Sequence, residues 1–328
     1  MHIMILGAAG MVGRKLSQHL ANAGHLGGKE LTALSLVDAI EPEKPARFSK
    51  SVSLVVTDLS IPGATAKWVA TRPDVIFHLA AVVSGDAEAD FDKGYRVNLD
   101  GTRQLFEAIR REGTSAPYHP RVVFTSSIAV FGAPFPDVIG DEFFTTPLTS
   151  YGTQKAMAEL LLADYSRRGF FNGVGIRLPT ICIRPGKPNK AASSFFSGIL
   201  REPLAGQEAV LPVTEDVRHW HASPRAAVGF LTHAATMDLR PLGARRTLTM
   251  PGLSATVREQ IEALRKVAGD KAVALIRRQP DPIIATMVSG WPQNFDADRA
   301  LALGFRAESS FDEIIRIYVE DELGGRIP

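Results

Sequence analysis

Several protein classes are excluded by what this sequence lacks. It holds one cysteine, Cys182, in 328 residues, which forbids an intramolecular disulfide and a cysteine-built zinc site and suits a reducing compartment. There is no block of five like charges, and 37 Lys and Arg against 35 Asp and Glu leave a formal charge of only +2. A nucleic-acid partner therefore has no electrostatic footprint and is not expected. The best apolar run, Val75 to Val83, is interrupted by His78 and falls short of the ~20 residues that span a bilayer. No Lys or Arg precedes Arg14, and the apolar stretch Ile3 to Leu6 meets glycine at once. No membrane contact and no signal peptide are expected, and a cytoplasmic location follows by elimination.

The remaining composition is that of an ordinary globular protein, 45% hydrophobic and 22% charged. The length suits about two domains, or one large α/β domain with an appendage. Short apolar runs at His2 to Leu6, Ala33 to Val37, Val52 to Val56, Val75 to Leu79, Val122 to Thr125 and Val174 to Leu178 predict strands, with helical patterns in several gaps. Strands apolar on both faces imply a parallel sheet covered by helices, a doubly wound α/β fold. The two longest gaps, Asp86 to Arg111 and Ser150 to Arg168, predict helices, the second capped by Thr149 or Ser150. After Leu178 the prolines 179, 185, 188, 203, 212, 224, 241 and 251 separate short helical pieces such as Ala191 to Arg201 and Pro224 to Thr236, before a final helix near Phe311 to Glu322. Two domains are expected, 1–178 and 179–328, the second a smaller lobe that could return a strand or helix to the first.

The first strand runs into Gly7-Ala-Ala-Gly10-Met-Val-Gly13 and then a helix from Arg14 to Asn22. Glycines in such a turn let the backbone approach a pyrophosphate, and the helix N-terminus supplies N–H donors and partial positive charge. A plain glycine turn shares the pattern; its place between strand and helix favours a dinucleotide-binding, Rossmann-type turn. Asp38, ending the second strand, is placed to accept both adenosine ribose hydroxyls and to repel a 2′-phosphate, which favours NAD over NADP unless Arg14 or Arg47 intervenes. Asp58 suits the adenine amino group or, equally, a turn cap.

Tyr151-Gly-Thr-Gln-Lys155 sets a phenol and an ammonium on one helix face. Bringing a phenol from about 10 to about 7 takes roughly 4 kcal/mol, which an adjacent Lys⁺ and a nicotinamide cation in a dry cleft are suited to supply. Ser127 follows the fifth strand, placed to hold a substrate oxygen while Tyr151 takes its proton; Ser126 is the expected turn cap. His219-Trp-His221 puts two histidines on one strand face, but nothing nearby completes a zinc ligand set, so no metal is expected. Trp220, Trp68 and Trp291 read as packing residues.

Together the glycine turn, His78-Leu-Ala-Ala81, Asn98-Leu-Asp-Gly101-Thr102, Ser127 and the Tyr151/Lys155 pair resemble the extended short-chain dehydrogenase/reductase (NAD-dependent epimerase/dehydratase) superfamily over essentially the whole chain. The resemblance implies NAD(P) as cofactor, with Asp38 favouring NAD, Tyr151 as acid/base, Lys155 on the nicotinamide ribose and lowering the tyrosine pKa, and Ser127 orienting the substrate. It also implies cofactor contacts from Gly7, Gly10, Met11, Val12, Gly13, Asp38, Asp58, Leu59, Leu79, Ala80, Ala81, Asn98, Tyr151, Lys155 and Pro179. Asn98 has two readings, a water link from Lys155 to solvent or a pin for a helix kink. Leu6 and Phe131 depart from the superfamily's usual threonine and tyrosine without touching this chemistry. The helices from Asp86 and Ser150 form a face that often pairs with its copy in this superfamily, so a homodimer is expected.

The reaction is narrowed by further residues. A sugar-nucleotide dehydratase needs an acid and a base beside the serine, and this chain has Ile128 and Ala129 there. Ala80 to Phe91, Ser150 to Lys155 and Arg184 to Ser194 resemble the D-erythronate dehydrogenase family, which implies oxidation of the C2 hydroxyl of a four-carbon sugar acid with NAD. Such a substrate asks for a cation, and Arg184 and Arg218 lead over Lys187 and Lys190 because an arginine takes a carboxylate through two bonds. Asn189 and the Ser193-Ser194 pair are placed to bind sugar hydroxyls, and Ser84, beyond the His78 strand, to contact substrate or nicotinamide. A nucleotide-sugar 4-epimerase is the alternative, and a non-catalytic dinucleotide sensor is the alternative of another class.

Overall fold

In the computed structural model, which describes residues 1–186 and 193–327, the chain divides into two compact units. The first gathers Met1–Val130, Thr149–Arg177 and Val228–Thr249; the second gathers Phe131–Leu148, Leu178–Ala227 and Met250–Pro328.

The first unit is built on a seven-stranded sheet. Its strands are β1 (His2–Leu6), β2 (Ala33–Asp38), β3 (Ser51–Val56), β4 (Val75–His78), β5 (Arg121–Ser127), β6 (Asn172–Leu178) and the later strand Thr247–Thr249. Their order is Thr247–Thr249, β6, β5, β4, β1, β2, β3. The pairings of β1 with β2 and β4, of β2 with β3, of β4 with β5 and of β6 with Thr247–Thr249 are parallel. This is the Rossmann-type α/β architecture read from the sequence. Chain order reverses between β1 and β4, and ligands of such sheets bind at that switch point. The strands are apolar on both faces because helices cover both: Ile3, Met4, Ile5 and Leu6 are all buried, as are Ile76, Phe77, Val122 and Val123. The edge strand β3 is the exception, with Leu54 and Val56 exposed.

Helix α1 (Met11–Ala23) buries Leu16 and Leu20 and stops at Gly24, whose φ of 70° ends it in the left-handed region. The single helix predicted from Asp86 to Arg111 is instead broken into α2 (Ser84–Ala89), a turn at Phe91–Gly94, a π-helix at Tyr95–Asp100 and α3 (Gly101–Glu112). Hydrophobic periodicity registers that a segment is helical but not that one stretch is wound a residue looser. Leu105, Phe106 and Ile109 of α3 share a core with Met4, Leu6, Ile76 and Phe124, and with Leu162 of α4 (Ser150–Arg167). Each such buried side chain contributes about 1.5–3 kcal/mol.

A three-stranded sheet of Thr180–Ile181, Arg218–Ala222 and Leu253–Thr256 lies in the second unit. Its core packs Phe196, Ile199 and Leu200 of helix Ser194–Leu204 with Leu264 of Val257–Val273 and Ile314 and Ile315 of Phe311–Glu322.

The two units depart from a single division at residue 178 in one way the sequence allowed for, a helix and strand returned to the first unit, and in one it did not, the passage of Phe131–Leu148 to the second. Val228–Thr249 belongs with the first unit because Thr247, Leu248 and Thr249 register against Gly175, Ile176 and Arg177 of β6. Phe131–Leu148 belongs with the second, where Ile139 bridges to Phe295 and the Phe131 ring meets those of Phe143 and Phe295. Both exchanges rest on pairings distant in sequence, which local patterning does not encode.

Candidate active site

The glycine turn is hooked onto the sheet by two bonds, from the Gly7 and Ala8 N–H groups to the Val37 carbonyl at 2.8 and 3.2 Å. Gly7 has φ +88°, and a Cβ there would lie 2.6 Å from the Ala80 nitrogen. A Cβ on Gly13 would stand 2.2 Å from the Gly7 carbonyl oxygen. At Gly10 the protein makes no such demand: it is exposed, and a Cβ would meet nothing nearer than that same oxygen at 3.4 Å. The bareness of Gly10 leaves room for a ligand rather than for the fold.

Met11 and Val12 open α1, whose first turn holds no acidic residue and no capping side chain. Its N–H groups and the helix's partial positive charge are left to an anion. Asp38 ends β2 with one carboxylate oxygen accepting from the Ala9 N–H at 2.9 Å and the other from Ala39 at 2.7 Å. It thus stands against the turn, as ribose recognition requires. Arg14 is drawn to Glu43 at 3.4 Å, both exposed. Leu79, Ala80 and Ala81 follow β4 beside the turn, with the Leu79 N–H on the Leu6 carbonyl at 2.8 Å. Asp58 accepts the Ser60 N–H at 2.8 Å, and its hydrogen bonds with Ser60 lower its pKa. Of its two readings this geometry makes the turn cap; Leu59 beside it is buried. The residues present fit a dinucleotide.

Tyr151 and Lys155 project one turn apart from α4, whose N-cap Thr149 accepts the Gly152 N–H at 3.0 Å, a cap that contributes about 1 kcal/mol. Lys155 is buried, with Nζ 5.8 Å from the centre of the Tyr151 ring and 4.8 Å from that of Phe124, donating to the Thr125 carbonyl at 2.8 Å. Burial lowers its pKa from 10.5 to about 8, with Glu159 opposing the shift. Glu159, a further turn along, is gripped by the Arg177 guanidinium at 2.7 to 3.2 Å and accepts the Ser126 hydroxyl at 2.5 Å. Tyr151, Lys155 and Glu159 therefore form a file along one helix face.

The roles expected of the two serines are exchanged in part. Ser126 is not the cap; its hydroxyl is spent on Glu159, which no local pattern announces. Ser127 accepts the Ala129 N–H at 3.1 Å, so it caps the turn itself and keeps its own proton to donate. Helix α4 packs against β5 and the Ile128–Val130 turn, bringing Ser127 and the Tyr151/Lys155 face to one end of the sheet. His78 beneath them is fully buried, bonds Thr102 at 2.8 Å, and is held neutral by burial, its pKa pushed down to about 3.

Asn98 sits inside the π-helix. Its Oδ1 accepts the Val82 N–H at 2.8 Å, and its Nδ2 donates to the Val82 carbonyl at 3.0 Å and to the Gln154 Oε1 at 2.7 Å. Both amide protons are used, which is the pinning role rather than donation to a water. Ser84, first residue of α2, is half-buried beyond that tie. Sequence reasoning passed over Gln154, Glu159 and Arg177; a carboxylate four residues after Lys155 was the one available signal.

In the second unit Pro179 is buried directly after β6. Arg184 donates to the Ile181 carbonyl at 3.0 Å and to Ser193 Oγ at 2.9 Å. Arg218 donates to the Ser254 carbonyl at 3.0 Å and lies 3.4 Å from Glu259. Asn189, with Lys187 and Lys190, lies outside the described residues. His219 donates from Nδ1 to the Pro292 carbonyl at 2.9 Å and its Nε2 meets the Thr180 hydroxyl at 2.7 Å. His221 pairs with Gln260 at 3.1 Å. Burial depresses both histidines, His219 to about 4. Trp220 packs inward, donating to the Met250 carbonyl at 3.1 Å.

A model of the NAD dependent epimerase/dehydratase family matches residues 3–226. The D-erythronate dehydrogenase of Cupriavidus necator is 47% identical, covering 98% of this chain and 98% of its own. That of Haemophilus influenzae is 40% identical, covering 98% of this chain and 100% of its own. A solved structure described as the nucleoside-diphosphate-sugar epimerase from Agrobacterium tumefaciens is 68% identical, with a TM-score of 0.98 over 100% of this chain and 96% of that one.

Proposed function

This chain belongs to the NAD dependent epimerase/dehydratase family, and on that premise we propose that it oxidises the C2 hydroxyl of D-erythronate to 2-dehydro-D-erythronate with NAD. The observation that carries the reading is near full-length identity of 47% and 40% to two D-erythronate dehydrogenases. Gly7, Gly10, Met11, Val12, Gly13 and Asp38 would hold the dinucleotide. When bound, NAD accepts the hydride released from C2. Ser127, its lone pair engaged by Ala129, keeps its hydroxyl hydrogen throughout and donates a hydrogen bond to the substrate oxygen. Tyr151 removes the hydroxyl proton as the ketone forms, and the buried Lys155 charge favours the phenolate that does so. In the second unit Arg184 and Arg218 are the candidates for the carboxylate and Asn189 for a hydroxyl, while Ser84 of the first unit is the candidate for a further substrate contact. Helices α3 and α4 are the proposed homodimer face, on which Leu160 stands exposed.

A second reading has an observation of its own, because the 68% identical structure is described as an epimerase. Net oxidation and epimerisation separate cleanly: the first accumulates NADH, the second returns its cofactor unchanged. We expect NADH absorbance to grow on adding D-erythronate and NAD, and not on adding a UDP-sugar. Tyr151→Phe should cut turnover by at least about 100-fold while leaving NAD affinity, read by fluorescence titration, unchanged. Conversion of a UDP-sugar to its C4 isomer, with no NADH from any four-carbon sugar acid, would overturn the assignment in favour of the epimerase. Tight NAD binding without turnover of either would leave a sensor.

A further inference from the structure

We propose that Gln154 and Glu88 are positioning residues that staple the Ser84 segment to the helix carrying Tyr151, and thereby set the affinity for the sugar acid. The inference rests on the reading of Ser84 as a substrate contact. Helix α2 has six residues and no side-chain cap at its start, too short to hold itself in place. Its position is imposed from outside, by two ties that both end on α4.

At the leading end Asn98 clamps the Val82 backbone through both N–H and carbonyl, and hands the remaining bond to Gln154. At the trailing end Glu88 accepts the Ser150 N–H at 2.6 Å, where the positive end of α4 favours a carboxylate. Ser150 immediately precedes Tyr151, and Gln154 lies one turn beyond it. The two ties thus bracket Tyr151 on one side and Ser84 on the other.

The packing between them has no slack. Ala87 is fully buried, and a Cβ on Gly94 would lie 2.7 Å from Gln154 Nε2 and 3.1 Å from the Ala87 Cβ. Gln154 is itself fully buried with Nε2 lacking a hydrogen-bond partner. Such a group costs stability, and the side chain is retained with only its oxygen bonded. What Gln154 supplies is its acceptor oxygen to Asn98. Because Tyr151 and Ser84 have to meet one small polar molecule, slack between their two segments weakens the preorganised grip on that molecule and shows as lost affinity.

The test is steady-state kinetics on the full chain with D-erythronate and NAD, for wild type, Glu88→Ala, Glu88→Gln, Gln154→Met and Gly94→Ala. We expect Glu88→Ala and Gln154→Met to raise KM for D-erythronate about tenfold with KM for NAD unchanged. Gly94→Ala, which pushes Gln154 aside, should match Gln154→Met, and Glu88→Gln, which keeps an oxygen for the Ser150 N–H, should recover most of the wild-type value. A lowered kcat or melting temperature with KM for D-erythronate unchanged makes the ties structural only and overturns the proposal. Glu88 is exposed, so its variants report even where Gln154→Met or Gly94→Ala folds poorly. A wild type inert toward four-carbon sugar acids overturns the functional reading, and this proposal with it; an active wild type with unaltered variants overturns this proposal alone.

Discussion

At Lys155 burial and function pull in opposite directions. In the proposed mechanism its charge is wanted beside Tyr151, yet burial lowers its pKa to about 8, with Glu159 opposing the shift. The cation is therefore lost as pH rises through about 8 rather than 10.5, and kcat/KM for the sugar acid should decline above that pH. Lys155→Met should be at least about 100-fold slower throughout and show no such limb; a pH profile of both proteins checks this, and an identical limb in the variant would place the titration elsewhere. Because the folded pKa lies below the unfolded one, the residue also costs stability below pH 8, a cost that fades toward 10.5. That Tyr151 and Lys155 share a helix face near Ser127 was legible in the sequence, because a four-residue spacing stacks side chains on a helix and Ser127 lies at a strand end. Ser126, Gln154 and Glu88 were not, because a serine, an amide and an exposed carboxylate acquire meaning only from partners 33, 56 and 62 residues away.

Among the elements, the turn from β1 into α1 separates what glycine does for the fold from what it does for a ligand. Gly13→Ala forces a Cβ to within 2.2 Å of the Gly7 oxygen and should lower both melting temperature and NAD affinity. Gly10→Ala has open space and should cost no more than about 1 kcal/mol of stability, yet lose at least about tenfold in NAD affinity; calorimetry and fluorescence titration read the two. Equal losses of stability would return Gly10 to a purely structural role. Six of the seven strands of this sheet were readable because burial between helix layers favours continuous apolar runs, and their ends fell within a residue or two of prediction; the three-residue strand Thr247–Thr249 was not foreseen. The π-helix at Tyr95–Asp100 was not, since Tyr-Arg-Val-Asn-Leu-Asp is also a fair α-helical string. Its looser winding follows from Asn98 reaching across to Val82.

Of the eight histidines in the molecule, His78, His219 and His221 are fully buried, and burial pushes the pKa of each down. Each has a folded pKa below its unfolded 6.5, so the unfolded chain takes up protons that the folded one refuses. Stability is full above pH 6.5 and is lost as pH falls toward 4, at about 1.4 kcal/mol per histidine per unit. Calorimetry between pH 7 and 5 should show melting temperature falling across that window; a flat response would mean the rings charge within the fold. The least legible feature at this scale was the passage of Phe131–Leu148 to the second unit, whereas the return of a strand or helix to the first was allowed for without its bounds. Phe131–Leu148 and Val228–Thr249 each resemble their sequence neighbours in composition, and only strand register and ring contacts assign them to the other unit.

The strand Thr247–Thr249 closes the outer edge of β6, which ends at Leu178. During synthesis that edge waits for the ribosome to deliver residues 179–249, several seconds at roughly 5–20 residues per second. Until then the nascent chain offers unpaired backbone to any neighbour on the same message. A gene fragment cut at the compositional boundary near 178 would make that transient exposure permanent, so a stand-alone nucleotide-binding piece of this protein has to be assembled with 228–249 rather than truncated.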